Sequence, residues 1–221
     1  KIRRYRMQSK VILVTTFFLI VIPALFFFFV DFNDLSLGER IQAALFQSVT
    51  PRTAGFNTVN LSLMSSSSLG VMILLMLIGG SPGSTAGGMK TTTFAVLLAN
   101  AAATFRKKDS AELFGRRIDP DAVKTAATIL IMYLALFFGG AIFISLYEGI
   151  SLSLCLYEAA SAVATVGLTL GITPQLHIPS QVVLIILMYC GRVGGLTLIY
   201  ATVSSKNTGN AKLPHESITI G

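Results

Sequence analysis

Thr53-Ala54-Gly55 and Thr165-Val166-Gly167 lie 112 residues apart, and each follows a short apolar stretch set between two long ones. The short stretches are Ile41–Val49 and Leu152–Ala164. At about 1.5 Å of helix per residue, neither crosses a hydrocarbon core of about 30 Å. The long ones are Val11–Val30, Leu69–Phe105, Val123–Tyr147 and Gln181–Val203. Shifting the sequence by 112 also lays Val11 on Val123, Leu75-Met76 on Leu187-Met188 and Gly79 on Gly191. The order of span, short helix, glycine-containing loop and span therefore occurs twice. This predicts an all-α membrane protein of two membrane–pore–membrane repeats, residues 1–118 and 119–221, each with a re-entrant pore loop.

Composition supports the membrane class. Of 221 residues, 53% are hydrophobic and only 12% are charged, and the mean hydropathy is +0.72. A soluble domain carries about 25% charged residues, so too little polar material is present to cover a water-facing surface. The apolar content also excludes disorder. The net charge of +7 does not point to nucleic acid, because the basic residues flank apolar spans. Lys1, Arg3, Arg4, Arg6 and Lys10 precede the first span, and Arg106, Lys107, Lys108, Arg116 and Arg117 lie between the second and third. The stretches around Asp31–Glu39 and Glu148 are acidic or neutral. The positive-inside rule then places the basic segments and the polar tail Ser204–Gly221 in the cytoplasm of a multi-pass cell-membrane protein. Both short helices enter from outside and their loops return there. Cys155 and Cys190 lie in apolar stretches, as small buried hydrophobes do. His177 and His215 have no cluster of metal ligands around them. The first residue is Lys, and the first apolar run is too long for the core of a signal peptide.

The run Leu69–Phe105 would make about 55 Å of helix, nearly twice the core thickness. Its middle reads Gly79-Gly80-Ser81-Pro82-Gly83-Ser84-Thr85-Ala86-Gly87-Gly88. Five glycines and a proline in ten residues break the helix inside the membrane. Small side chains and the lack of a hydrogen-bond ladder suit a segment with two arrangements, as a gate requires. The last span carries a second interruption, Gly191-Arg192-Val193-Gly194-Gly195.

Irregular backbone at membrane depth is tolerated where protein buries it or where it lines a water-filled cavity. Loop carbonyls without a ladder suit a dehydrated cation, as in K⁺-channel filters, the standard example of this chemistry. The negative end of the short helix adds to the attraction. The candidate filter is Thr53, Ala54, Gly55 and Phe56 with Thr165, Val166, Gly167 and Leu168. The cation would sit on the carbonyls of Thr53, Gly55, Thr165 and Gly167, and the resemblance described next implies that it is K⁺.

Ser48–Asn57, Gly79–Lys90, Thr165–Thr169 and Gly191–Gly195 together resemble the membrane subunits of the Trk/Ktr/HKT superfamily of K⁺ transporters, most closely the KtrB type. The family has four such repeats, and these two resemble the third and fourth. The resemblance implies half of a pseudo-fourfold pore, completed by the N-terminal half of a chain about twice this length. It further implies that Gly79–Gly88 is an intramembrane gate faced by Arg192, that the assembly is a homodimer, and that a cytosolic nucleotide-binding ring of KtrA type regulates it. K⁺ uptake is the expected function, with Na⁺ as possible coupling ion. A Na⁺ or unselective pathway is the alternative within transport, because selectivity depends on all four loops.

Two motifs mislead. Gly79-Gly80-Ser81-Pro82-Gly83 matches a nucleophile elbow, with an intramembrane serine hydrolase as the rival reading and His177 as its base. That motif needs a preceding strand, and Ser81 follows a span. Gly83–Thr91 has an extra residue, Met89, where a phosphate-binding loop needs Lys. Three charges approach membrane depth. Lys90 snorkels to the cytoplasmic interface. Arg52 either caps its own loop or serves the outer vestibule. Arg192 is the only charge in Gln181–Val203, and repeat register sets it opposite Gly80; it needs partners at that depth. Glu158 either holds the pore scaffold or attracts cations. The basic blocks are flanks that meet membrane lipid, or a partner dock.

Overall fold

Local sequence chemistry sets most of the helix boundaries. The computed structural model describes residues 5–193; the tail Ser204–Gly221, with His215, and the glycines Gly194 and Gly195 lie outside these residues. Helix α1 (Met7–Val30) runs without interruption through Pro23. Helix α2 (Leu37–Val49) starts four residues before the apolar stretch. Glu39 reaches back to Ser36 there, accepting the Ser36 amide at 3.2 Å and its hydroxyl at 2.7 Å. These bonds favour the ionised form and hold the Glu39 carboxyl below the usual carboxylate range. The contact therefore persists through the usual carboxylate range and is lost as pH falls below it, through the lowered value.

The long apolar run is two helices, α3 (Ser66–Leu77) and α4 (Thr91–Phe105). Ser65 caps α3 by accepting the Ser68 amide at 3.2 Å. Helix α5 (Pro120–Glu148) opens with Asp119, whose carboxylate accepts the Asp121 amide, and with Pro120 in the first turn. It ends at Gly149, in the left-handed conformation at φ 68°, a common helix stop. Helix α6 (Leu152–Val163) and helix α7, described over Ile178–Val193, follow. Helices α1 and α5 are long and apolar enough to cross a membrane by length and composition. The chain is mostly helical.

Several local features lie 112 residues apart. The 3-10 turns are Leu61–Leu63 and Thr173–Gln175, and α3 and α7 start at Ser66 and Ile178. Thr53 and Thr165 both have positive φ, at 69° and 52°, as do Gly55 and Gly167, at 75° and 93°.

Three expectations need correction. The segment between α3 and α4 is not free of a ladder, because Ile78 and Met89 form a parallel bridge. Its bonds run from the Gly79 amide to the Met89 carbonyl at 2.8 Å and from the Met89 amide to the Leu77 carbonyl at 3.0 Å. The chain leaves and re-enters the helical register side by side, so its ends pair while its middle, Ser81–Ala86, bulges. Second, α7 continues as helix through Gly191, Arg192 and Val193; Gly191 serves close packing there. Third, the polar link between α4 and α5 contains a hairpin, β1 (Glu112–Leu113) paired antiparallel with β2 (Arg116–Arg117).

Helix α6 is the hub, packed against α3, α5 and α7. Its Cys155, Tyr157, Ala159, Ala160 and Val163 are fully buried. Outward faces of α1, α5 and α7 stay apolar, with Phe17, Phe29, Ile131 and Ile185 exposed, as suits lipid or protein contact rather than water.

A Cβ at Gly191 would stand 1.8 Å from the Val163 carbonyl oxygen, whereas one at Gly139 meets nothing within 4 Å. Gly191→Ala should therefore push α7 off α6 and cost about 1–3 kcal/mol. Gly139→Ala should be neutral or mildly stabilising, since Ala is the better helix former. Thermal unfolding of the two purified variants in detergent checks the contrast.

Candidate functional site: two carbonyl loops over a broken helix

Each short helix ends in a loop whose amides turn back to the helix. After α2, the amides of Ala54 and Gly55 both donate to the Thr50 carbonyl, at 3.1 and 3.2 Å. The Thr50 hydroxyl accepts the Phe56 amide at 3.1 Å and donates to the Phe56 carbonyl at 2.6 Å. After α6, the Val166 amide donates to the Ser161 carbonyl at 2.8 Å, and the Gly167 amide to the Ser161 hydroxyl at 3.2 Å. With the amides spent on the helix end, the carbonyls turn away from it. Among the described residues, no donor meets the carbonyls of Thr53, Ala54, Gly55, Thr165, Val166 or Gly167. Such oxygens are the donor set a dehydrated cation takes. Phe56 differs, because its carbonyl is committed to Thr50; it anchors the end of its loop.

The two loops touch. The Thr53 hydroxyl donates to the Ala164 carbonyl at 3.4 Å. A Cβ at Gly55 would stand 2.2 Å from the Val166 carbonyl oxygen. Leu168 is buried at the far end of the second loop. A cavity of about 680 Å³ opens beside that loop, lined by Glu158, Ser161, Thr165, Gly167 and Gln181 among others.

The broken segment lies against the same place. A Cβ at Gly87 would come within 2.4 Å of the Thr165 hydroxyl oxygen and 2.6 Å of the Ala164 carbonyl oxygen. Gly79–Gly88 therefore contacts the second loop directly, with backbone meeting backbone. Gly79 in turn packs on the Gly87 carbonyl. Within the bulge, the Ser84 hydroxyl and amide both bond the Ser81 carbonyl, at 2.7 and 3.1 Å. Two cations hold the bulge. Arg192 donates from its guanidinium to the Thr85 carbonyl. Lys90 donates from Nζ to the carbonyls of Ala86 at 2.6 Å and Ser84 at 3.3 Å. Lys90 thus turns inward to the segment rather than snorkelling.

Glu158 has a defined place. Its carboxylate is buried and accepts the hydroxyls of Thr169 at 2.5 Å and Thr173 at 2.8 Å, and the Leu170 amide at 3.0 Å. It ties the exit of the second loop to α6. Arg52 does not cap its loop by a hydrogen bond among the described residues, and its Nε is buried without a partner. Thr50, Ser161 and Lys90 carry more of the geometry than sequence reading assigned them. The signal was available for Thr50 and Ser161, since a hydroxyl at a helix C-terminus commonly bonds nearby backbone.

The hydrolase pairing is not assembled. Ser81 Oγ lies 3.5 Å from the Thr91 hydroxyl, and His177 is bound to Glu148 at 2.7 Å. His177 precedes α7 and Arg192 lies near the end of its described part, about 20 Å along the helix.

Residues 3–210 match the family described as TrkH, cation transport protein, and the chain belongs to that family, one of membrane transporters rather than enzymes. It is 38% identical to the potassium/sodium uptake protein NtpJ of Enterococcus hirae, over all of this chain and 51% of that protein. It is 33% identical to the Ktr system potassium uptake protein B of Bacillus subtilis, over 85% of this chain and 42% of that one. The crystal structure of the potassium transporter TrkH from Vibrio parahaemolyticus shares the fold, with a TM-score of 0.72, 23% identity, and coverage of 86% of this chain and 43% of that chain. The chain thus spans about half the length of the relatives it matches.

Removal of the buried Glu158 carboxylate takes the acceptor from three donors, the exposed Thr169 hydroxyl and the partly buried Thr173 hydroxyl and Leu170 amide. Glu158→Ala should destabilise the protein by about 1–3 kcal/mol, and Glu158→Gln by less, because one acceptor oxygen remains. Unfolding in detergent, with hydrogen exchange at the Leu170 amide, measures both.

Proposed function

We propose that this chain forms half of a cation-uptake pore in the cell membrane, with K⁺ as the transported ion. The observation that carries the reading is the pair of touching loops whose amides are tied to helix ends and whose carbonyls are left without donors. Residues 1–118 and 119–221 act as two membrane–pore–membrane units, α1 to α4 and α5 to α7. K⁺ exchanges its water for the carbonyls of Thr53, Gly55, Thr165 and Gly167. Two further loops come from the N-terminal half of the transporter and complete the pseudo-fourfold ring. The basic segments and the C-terminus face the cytoplasm. The assembly is a homodimer, and a cytosolic nucleotide-binding ring of KtrA type sets the pore open or closed. A second reading, with Na⁺ as coupling ion or cargo, draws support from the potassium/sodium uptake named for the Enterococcus hirae relative.

Gly79–Gly88 is the gate. It lies against the second loop at Gly87, and Arg192 and Lys90 hold its bulge through carbonyls of Ser84, Thr85 and Ala86. Opening requires those bonds to break while the paired ends at Ile78 and Met89 stay as a hinge. Both cations also repel an approaching K⁺ while they remain near the path.

The filter is tested in the transporter that contains this segment, by tracer uptake and ion competition in a K⁺-uptake-deficient strain. Gly55→Ser should reduce K⁺ uptake about tenfold or more and weaken discrimination against Na⁺. Its side chain meets both a positive φ and the Val166 carbonyl. Gly167→Ser should do so more mildly, because a Cβ there meets nothing within 4 Å. Unchanged uptake and selectivity in both would reject the filter.

The gate is tested by flux per correctly assembled molecule in liposomes. Arg192→Ala should raise it several-fold. Arg192→Lys should fall between, since it keeps the charge without the planar fork. A lower flux per assembled molecule for the Ala variant would make Arg192 a helix brace and reject its gating role.

A further inference from the structure

The link between α4 and α5 is a built platform rather than a loose connection. Ala111 and Ile118 of the link are buried against Ala99 and Ala103 of α4, with Leu113 and Val123 packed alongside. The Ile118 amide donates to the Ala111 carbonyl at 2.8 Å, continuing the β1–β2 pairing of Glu112 with Arg117 and Leu113 with Arg116. One face of the hairpin is thereby fixed on the helix ends. What remains outward is cations and aromatic rings, with the exposed carboxylates of Asp109 and Asp119 beside them. Phe105 at the end of α4 is 89% exposed, and Phe114 at the hairpin tip is 50% exposed. Lys108 pairs with Glu112 and Lys124 with Asp121. Among the described residues, Arg106, Lys107, Arg116 and Arg117 have no carboxylate partner.

Two of these side chains stand where glycine or asparagine is favoured. Lys107 follows α4 at φ 53°, and Phe114 occupies the hairpin turn at φ 50°, beside Gly115 at 74°. A two-residue turn with both φ positive ordinarily takes Asn-Gly. Phe114 thus presents an exposed ring, two and three residues before Arg116 and Arg117, on a backbone that asparagine or glycine adopts with less strain.

We propose that this hairpin is a lipid-binding platform that seats on the anionic phospholipid headgroups of the leaflet it faces. The proposal rests on the membrane reading given above and adds a ligand to it. Three features of the platform favour lipid over an acidic protein surface. The platform is bolted to the ends of two apolar helices, which fixes it at the depth where those helices leave the hydrocarbon. Aromatic rings flanked by cations are the arrangement that settles at the headgroup level, with the ring at the acyl boundary and the cations on phosphate. The four cations lie on one short link, so a fluid headgroup layer reaches all of them without a shaped partner. Arginine adds forked donation to phosphate oxygens.

The experiment uses the intact transporter that contains this segment, purified in detergent and titrated with phosphatidylglycerol or phosphatidylcholine, with bound lipid counted by native mass spectrometry. The wild type should retain phosphatidylglycerol preferentially. Each unpaired cation near a membrane surface is worth about fivefold in affinity. The double variant Arg116→Gln/Arg117→Gln should therefore lose about 25-fold of that preference. Arg116→Lys/Arg117→Lys should keep most of it, which separates charge from folding. Phe114→Asn relieves the turn, so it should stabilise the protein while weakening retention severalfold. Equal retention of both lipids by the wild type overturns the proposal. So does a Gln variant that keeps the preference, or a Lys variant that loses it as fully as the Gln variant. Unchanged lipid retention with loss of a co-purifying cytosolic subunit would make the hairpin a protein dock instead. Failure of the wild type to enter bilayers at all would count against the membrane reading, not the hairpin alone.

Discussion

The carbonyls at the end of α6 are approached by glycines from three separate parts of the chain. Gly191 of α7 lies on Val163, Gly87 of the broken segment on Ala164, and Gly55 of the first loop on Val166. At each contact an added Cβ would stand under 3 Å from a backbone oxygen. Backbone can approach backbone this closely only where no side chain intervenes. The position of α7, the seat of the broken segment and the meeting of the two loops all follow from this one constraint. A single substituted methyl group at any of the three would displace an element, because the obstacle is main chain and cannot change rotamer.

A second layer holds that junction from behind. Met72 of α3 accepts the Gln47 amide of α2 at 3.1 Å and lies 3.8 Å from the Tyr157 hydroxyl of α6. The two short helices are thus joined through α3, which is itself the first half of the broken run. Glu158 holds the second loop from the other end. The first loop has no carboxylate in that role and is pinned by the Thr50 hydroxyl instead. Similar backbone courses are therefore supported by different side chains, and the second loop is the one that borders the cavity.

The broken segment combines fixed ends with a held middle. Main-chain bonds to Met89 and Leu77 close its base, while among the described residues its bulge is held by hydrogen bonds from the side chains of Arg192, Lys90 and Thr91 and by its own turn. Main-chain bonds at the base are shielded within the packed helices. Bonds from two long cationic side chains break by rotamer change. This division of bonds is what the proposed gate requires, a centre that moves while its base stays paired.

The sequence by itself determined the helical class, the order of long and short apolar elements and the 112-residue offset, because these depend on local composition and on glycine and proline at fixed places. It also marked Arg192, because a lone charge in an apolar stretch must find a partner. The family resemblance rested on the same motifs. What only the tertiary structure decided is where that partner is and who shares it. Lys90 read as an interfacial lysine, yet its ammonium turns to the Ala86 and Ser84 carbonyls, because the folded-back segment brings acceptors within reach that no spacing rule supplies. The pairing of Ile78 with Met89 was hidden for the same reason, being a contact between the two ends of a loop. The place of Glu158 depended on a loop returning 11 to 15 residues later to present Thr169 and Thr173. Helix-forming pattern is a property of neighbours in sequence; the supply of donors to a buried charge is a property of neighbours in space.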